Sequence, residues 1–183
     1  MHAVAVAAAT ACPEPITIQP EADPEVVAAL QRAFQLARAG DAAGLAALLD
    51  AGVPPDLCNE RGDSLLMLAS YHGHVEASRA LLDRGADPGR PNDRRQTPLG
   101  GAAFKGDVAI AALLLDRGAE VDATTADGKT PLMFAAMFDR VEMVELLLGR
   151  AADPDRKDAF GVTAAAGARA MGAHRAAARL ERR

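Results

Sequence analysis

The chain has 183 residues, half of them apolar, with 3% aromatic residues and a formal net charge of −5. This length allows one ordinary domain, and the negative charge argues against a nucleic-acid partner. Two cysteines, Cys12 and Cys58, are too few for a disulfide framework, and no apolar run reaches the ~18 residues of a membrane-spanning helix.

Residues 1–22 differ in composition from everything that follows. The stretch from Met1 to Ala11 is apolar and rich in alanine, but no Lys or Arg precedes it, as a secretory signal would require. Pro13, Pro15 and Pro20 then interrupt the sequence. We therefore expect residues 1–22 to be a disordered tail and the protein to be cytoplasmic. Export, with the alanine-rich stretch as its signal, remains the alternative.

The tripeptide Asp23-Pro24-Glu25 predicts the start of a helix. It offers a capping aspartate, a proline at the first helical position and an acid in the first turn. Apolar residues then recur at helical spacing until Gly40, and a second helix is predicted over Asp41 to Leu49. Polar residues on the outer face are typical of a terminal repeat that shields a stack from water. We predict an N-terminal cap over residues 23–57.

The remainder of the chain repeats with a constant period of about 33 residues. A hydroxyl that begins a first helix recurs as Ser64, Thr97, Thr130 and Thr163. A break between helices recurs as Gly40, Gly73, Gly106 and Gly172, with Asp139 in the same slot. Leucine pairs in the second helices begin at Leu48, Leu81, Leu114 and Leu147. Helices this short are unstable alone, so the copies must stack. The predicted copies are 58–90, 91–123, 124–156 and a shortened C-terminal cap, 157–183.

These motifs resemble those of the ankyrin repeat family. The resemblance is carried by Thr97-Pro98-Leu99, Thr130-Pro131-Leu132, Gly85-Ala86-Asp87 and the pair Gly73-His74. It covers roughly residues 24–183, and it implies an all-α solenoid of stacked helix pairs with short turn or hairpin fingers and no regular sheet. Heavy use of alanine, and of arginine over lysine, suggests a small bacterial protein of this kind.

Departures from the family pattern occur in the copy 91–123. Arg95 lies where the turn prefers glycine, which costs strain if the position needs a positive φ. Gly100 and Gly101 lie inside a predicted helix, and Gly101 takes the slot of Leu68 and Phe134 in neighbouring copies. Gly101 should therefore leave a gap or be covered by a neighbour. Two interpretations stay open: compensated drift, or a backbone that a partner approaches closely.

Catalytic and metal-binding motifs in the sequence are incomplete. Gly128-Lys129-Thr130 resembles the end of a phosphate-binding loop, but Ala123 stands where that motif needs its first glycine. His72 and His74 with Cys58 suggest zinc, yet residues two apart on a helix do not share a face and a fourth ligand is missing. We expect no enzyme activity, no metal and no cofactor.

The family resemblance implies a protein partner, held by the turn tips and by the exposed ends of the first helices. The tip positions are Glu60, Arg61 and Asp63, then Asp93, Arg94 and Gln96, then Ala126, Asp127 and Lys129. The groove positions are Tyr71 and His72, Phe104 and Lys105, Met137 and Phe138. Because Tyr71, Phe104 and Met137 are each one repeat period apart, stacking should align them in one stripe.

We predict a monomeric, non-catalytic module that binds a protein through these positions. In one alternative, the aromatic residues pack on the next helix or on the N-terminal tail. In another, the protein is a regulatory, inhibitory or chaperone-like subunit of a specific enzyme.

Overall fold

A computed structural model describes residues 24–182 of the chain, so the predicted tail over residues 1–22 and the capping role of Asp23 lie outside the described residues. Within that range the chain forms helix pairs joined by tight turns. The helices are α1 (Pro24–Ala39), α2 (Ala42–Asp50), α3 (Leu65–Tyr71), α4 (Val75–Leu82), α5 (Pro98–Lys105), α6 (Val108–Asp116), α7 (Pro131–Met137), α8 (Val141–Gly149), α9 (Ala164–Ala170) and α10 (His174–Glu181).

The recurring hydroxyls begin the first helices, as predicted. Ser64 and Thr97 accept hydrogen bonds from the backbone N–H groups of Met67 and Gly100, each at 3.1 Å. Thr130 and Thr163 cap α7 and α9 in the same way. Each cap satisfies one of the N–H groups that a helix start leaves without an intrahelical partner.

The helices form two stacked rows. The first helices pack in the order α1, α3, α5, α7, α9, and the second helices pack in the order α2, α4, α6, α8, α10. The core lies between the rows and consists mainly of alanine and leucine; Leu81, Leu114, Leu147 and Leu180 are almost fully buried. Small side chains let the helices approach closely, so each pair obtains its buried surface from its neighbours. The boundaries between copies stay a prediction.

Ion pairs connect the ends of successive second helices. Arg84 lies 2.8 Å from Asp50, Arg117 lies 2.7 Å from Asp83, and Arg150 lies 2.8 Å from Asp116. Arg179 of α10 similarly contacts Glu145 of α8. We call these four pairs the ion-pair ladder. Each of its pairs links one helix pair to the next.

The predicted all-α solenoid is confirmed. In the described range, β-type pairing is limited to an isolated bridge between Cys58 and Ser64. None of the helices between residues 24 and 182 combines the length and the apolar character needed to cross a bilayer.

Candidate functional site

Three aromatic side chains at the ends of successive first helices are exposed next to one another. Tyr71 ends α3, Phe104 lies in the last turn of α5, and Phe138 follows α7. Their exposed fractions are 46%, 38% and 37%. The rings of Phe104 and Phe138 meet edge to face, with centroids 4.4 Å apart. We call these three residues the aromatic surface.

Met137 does not continue this surface. It is half-buried, and its Cγ lies 3.3 Å from the position that a Cβ on Gly167 would occupy, so it packs against α9. Phe138, one residue later, is exposed instead. The predicted stripe of Tyr71, Phe104 and Met137 therefore takes a different last member, because the last turn of α7 directs residue 137 towards the next helix pair.

An open groove lies beside the aromatic surface. It has a volume of about 280 Å³, and its lining includes Tyr71, Gly100, Gly101, Phe104 and Phe134. Gly100 and Gly101 contribute backbone without side chains, which leaves room where neighbouring copies place Leu68 or Phe134. A Cβ on Gly101 would lie 3.5 Å from Cδ2 of Tyr71, an ordinary contact. The gap expected at Gly101 is therefore present, with Tyr71 covering one side of it.

A cation from α5 lies over the ring of Tyr71. The Nζ atom of Lys105 lies 4.8 Å from the ring centroid of Tyr71, within the range of a cation–π contact. Both side chains belong to positions predicted to face a partner. His72 meets the edge of the Tyr71 ring, with centroids 5.8 Å apart. Residues from adjacent copies thus combine a charged group and an aromatic face at one place.

The turns that precede α3 and α5, here called fingers, divide the predicted tip residues into two groups. Asp63 and Gln96 form hydrogen bonds that stabilise the fingers. The side-chain amide of Asn92 donates to Asp63 at 2.8 Å and to Gln96 at 3.1 Å. Arg61, Asp93 and Arg94 have exposed side chains, as does Glu60. These exposed residues line a polar hollow of about 260 Å³ between the two fingers.

Lys129 is engaged within the array. It forms an ion pair with Asp127, lies 3.9 Å from Asp158, and sits 5.6 Å from the ring centroid of Phe160. Hydrogen bonds from Lys129 and then from Thr125 lower the pKa of Asp127 below its ordinary value. A cation with these neighbours is less available to a partner than Arg61 or Arg94.

Sequence reasoning missed the residues that organise the fingers. The side chain of Asn59 accepts from the N–H groups of Arg61 and Asp63, and that of Asn92 accepts from those of Arg94 and Gln96. In the next two turns, Thr125 accepts from the N–H of Lys129, and Asp158 accepts from those of Phe160 and Val162. The signal was present, because these residues recur at the repeat period and each precedes a capping hydroxyl by the same interval. Three residue types share the slot, which concealed it.

His72 and His74 lie in the turn between α3 and α4, so the helical argument against a shared face was wrong. Their rings stack with centroids 6.0 Å apart. The Nε2 atom of His74 lies 2.9 Å from the carbonyl oxygen of Arg38, which gives this histidine a structural contact with the preceding helix pair. Between residues 24 and 182, no three His, Cys, Asp or Glu side chains are grouped as a metal ion would need.

Comparison with known sequences identifies the repeat. A profile described as ankyrin repeats (3 copies) matches residues 33–125 and again residues 84–158. A protein of Pseudomonas aeruginosa whose name describes it as an ankyrin repeat protein is 51% identical over 61 residues. That alignment covers 33% of this chain and 36% of the relative, so the chain spans only about a third of the protein that it matches.

Proposed function

Because the chain belongs to the ankyrin repeat family, whose arrays are generally protein–protein interaction modules, we propose that it binds a partner protein through the groove and the aromatic surface. Binding is stoichiometric and involves no turnover. The partner inserts apolar side chains beside Tyr71, Phe104 and Phe138. Polar groups of the partner meet the exposed fingers.

One observation carries this proposal: an open groove adjoins three exposed aromatic side chains on consecutive helix pairs. A contiguous apolar patch is unfavourable in water unless something covers it, and such patches mark interaction surfaces. Aromatic anchors within a polar rim are the composition of interface hot spots. Here the rim is supplied by Lys105 and by the fingers that carry Arg61 and Arg94.

The test is a capture experiment with matched variants. The variant Tyr71→Ser/Phe104→Ser/Phe138→Ser removes the aromatic surface. The control Val26→Ser/Met171→Ser removes two other exposed apolar side chains, 52% and 55% exposed, which do not line the groove. Wild type and control should retain the same partner from extracts of the source cells, and the triple variant should lose it. Equal capture by all three would place recognition on another face.

A further inference from the structure

The slot that Gly101 occupies recurs at the repeat period in the first helices, and the chain fills it in different ways. Leu68 and Phe134 fill it with their own side chains, which are partly buried against the core. Gly167 has no side chain to offer, but Met137 of the preceding pair takes the space. The Cγ and Sδ atoms of Met137 lie 3.3 and 3.7 Å from the position of an added Cβ. This slot is therefore one that an apolar side chain normally fills.

At Gly101 the slot stays open. Apart from adjacent residues and the backbone of α5, the one heavy atom of the described residues within 4 Å of an added Cβ is Cδ2 of Tyr71, at 3.5 Å. Tyr71 precedes Gly101 by the same interval as Met137 precedes Gly167, but its ring is 46% exposed. Lys105 lies over the face of this ring. Tyr71 therefore forms a wall of the groove without filling it, and the remaining 280 Å³ is far more than one water molecule requires.

The walls of the groove favour an uncharged aromatic occupant. Within residues 24–182, none of the residues that line it is charged. Tyr71, Phe104 and Phe134 contribute aromatic rings, and Met67 contributes a thioether. A charged side chain is costly to transfer into such surroundings without a partner charge. A further ring, in contrast, makes favourable edge-to-face and sulfur–aromatic contacts there.

The rim of the groove is polar and suits the main chain of a peptide. Gln96 lines both the groove and the polar hollow between the fingers. Its side-chain oxygen accepts from Asn92, whereas its side-chain N–H groups have no acceptor in the described part of the chain. They are therefore available to a carbonyl group of an occupant. The hollow carries charges of both signs, among them Asp93 and Arg94, so the rim does not favour one sign in the flanking residues.

We propose that the groove is the anchor site for one uncharged aromatic side chain of the partner, and that Gly101 determines this specificity. The ring enters the slot that Leu68 and Phe134 fill in neighbouring copies. The adjoining main chain of the partner accepts a hydrogen bond from Gln96. This inference rests on the function proposed above, to which it adds the chemistry of the anchor.

A small uncharged probe tests the anchor directly. N-acetyl-L-phenylalanine amide presents the ring and two peptide groups, and it is titrated into the isotope-labelled full-length protein while the amide resonances of Gly100 and Gly101 are followed. A ligand of this size should bind with a dissociation constant of about 1 mM. The leucine analogue should bind more weakly. The aspartate and lysine analogues should bind at least about tenfold more weakly than the phenylalanine analogue.

Substitutions at Gly101 close the slot and leave the aromatic surface in place. Gly101→Leu supplies the side chain that Leu68 has in the preceding copy, and it should weaken the probe at least about tenfold. Gly101→Ala adds only a methyl group and should weaken the probe by a smaller factor. The control Gly149→Leu adds a leucine at an exposed position, where an added Cβ has no neighbour within 4 Å among the described residues. It should bind the probe as wild type does.

Equal binding of the probe by wild type and Gly101→Leu would overturn the inference, as would the absence of a saturable shift at Gly101. Tighter binding of the leucine analogue or of a charged analogue would overturn the aromatic assignment. Failure of the proposed function is a different result. If Gly101→Leu retains the captured partner and the triple serine variant loses it, the inference is wrong and the proposed function stands. If both variants retain the partner, both are wrong.

Discussion

Some left-handed backbone positions that glycine holds in neighbouring copies are occupied instead by Arg95, Asp139 and Ala151. Asp139 gains a compensating contact: its carboxylate accepts a hydrogen bond of 2.8 Å from the N–H of Ala176 at the start of α10. Among the hydrogen bonds of the described residues, Arg95 takes part only through its backbone N–H, which donates to the carbonyl oxygen of Asn92 at 2.8 Å. The strain at Arg95 is therefore not offset within the array.

Replacing Arg95 with glycine should stabilise the protein. A left-handed L-residue costs about 1–2 kcal/mol, and the greater entropy of glycine in the unfolded chain cancels part of the gain from removing that strain. We expect Arg95→Gly to raise the free energy of unfolding by about 1 kcal/mol, measured by urea denaturation. The control Arg94→Gly, at a position without positive φ, should lower it by about 0.5–1 kcal/mol. A loss of stability in Arg95→Gly would show that the arginine side chain makes a stabilising contact.

At this scale the sequence revealed some roles and concealed others. Positive φ at residue 95 followed from a period that aligns it with glycines. The turn anchors Asn59, Asn92, Thr125 and Asp158 did not stand out, because an amide, a hydroxyl and a carboxylate can each accept the same backbone hydrogen bonds. The period alone aligns these positions, and it does not identify the atoms that are bonded.

Helix α5 contains two adjacent glycines, and a residue with a side chain could replace either of them. Neither Gly100 nor Gly101 has a positive φ, so the backbone accepts other residues there. Both glycines line the groove. The helix is correspondingly weaker, since glycine in a helix interior costs about 0.5–1 kcal/mol relative to alanine.

The substitution Gly101→Ala should stabilise the array by about 0.5–1 kcal/mol, because the new methyl group makes only an ordinary contact with Tyr71. Gly106→Ala serves as the opposite case. Gly106 has φ of +80°, and its Cβ would lie 2.8 Å from Cδ of Arg140, so this change should destabilise. Thermal unfolding of both variants checks the pair. A lower melting temperature for Gly101→Ala would mean that α5 needs its glycine for packing.

The ion-pair ladder shows where sequence reasoning stops at the level of elements. Aspartates recur at the repeat period at the ends of the second helices, and arginines recur at the same period just after them. Their spacing was visible in the sequence. Pairing Asp50 with Arg84, however, required knowing that the end of α2 lies beside the turn that follows α4. That relation comes from stacking geometry, which the repeat pattern does not contain.

Across the whole molecule, the arrangement of charges makes stability depend on pH. Hydrogen bonds from Arg84 and from Arg179 lower the pKa values of Asp50 and Glu145 from their ordinary values of 3.8 and 4.5. The pKa of Asp127 is lowered likewise. A carboxyl group with a lowered pKa in the folded state contributes stability that is present above its ordinary pKa. That stability is lost as the pH falls through the lowered value.

We therefore expect the melting temperature to stay level from about pH 7 to pH 5 and to fall below about pH 4. Asp50→Asn/Glu145→Gln should reduce the acid-dependent fall by a small amount, because Asp50 and Glu145 are exposed and such pairs contribute little. Thermal scans across this range test the sign. A melting temperature that rises as the pH is lowered would contradict the assigned shifts.

The all-α solenoid followed from the sequence, whereas the surface followed only in part. A constant repeat period with capping hydroxyls sufficed for the all-α solenoid, since short helices must stack. Exposure of Tyr71, Phe104 and Phe138 was anticipated from register. The packing of Met137 against α9 and the engagement of Lys129 were not anticipated, because both depend on the direction of one side chain relative to the next helix pair.

We propose that the aromatic surface binds a partner and that the stack does not need this surface for its own stability. One comparison tests it: the dissociation constant and the melting temperature of Tyr71→Ser/Phe104→Ser/Phe138→Ser, each measured beside Val26→Ser/Met171→Ser, with the captured partner as ligand. The triple variant should stay folded at a cost of about 1–2 kcal/mol, chiefly from the lost Phe104–Phe138 contact. Its dissociation constant should rise about 30-fold or more, since one anchor contributes about 2 kcal/mol. An unfolded triple variant, or a folded one that binds like the control, would contradict the claim.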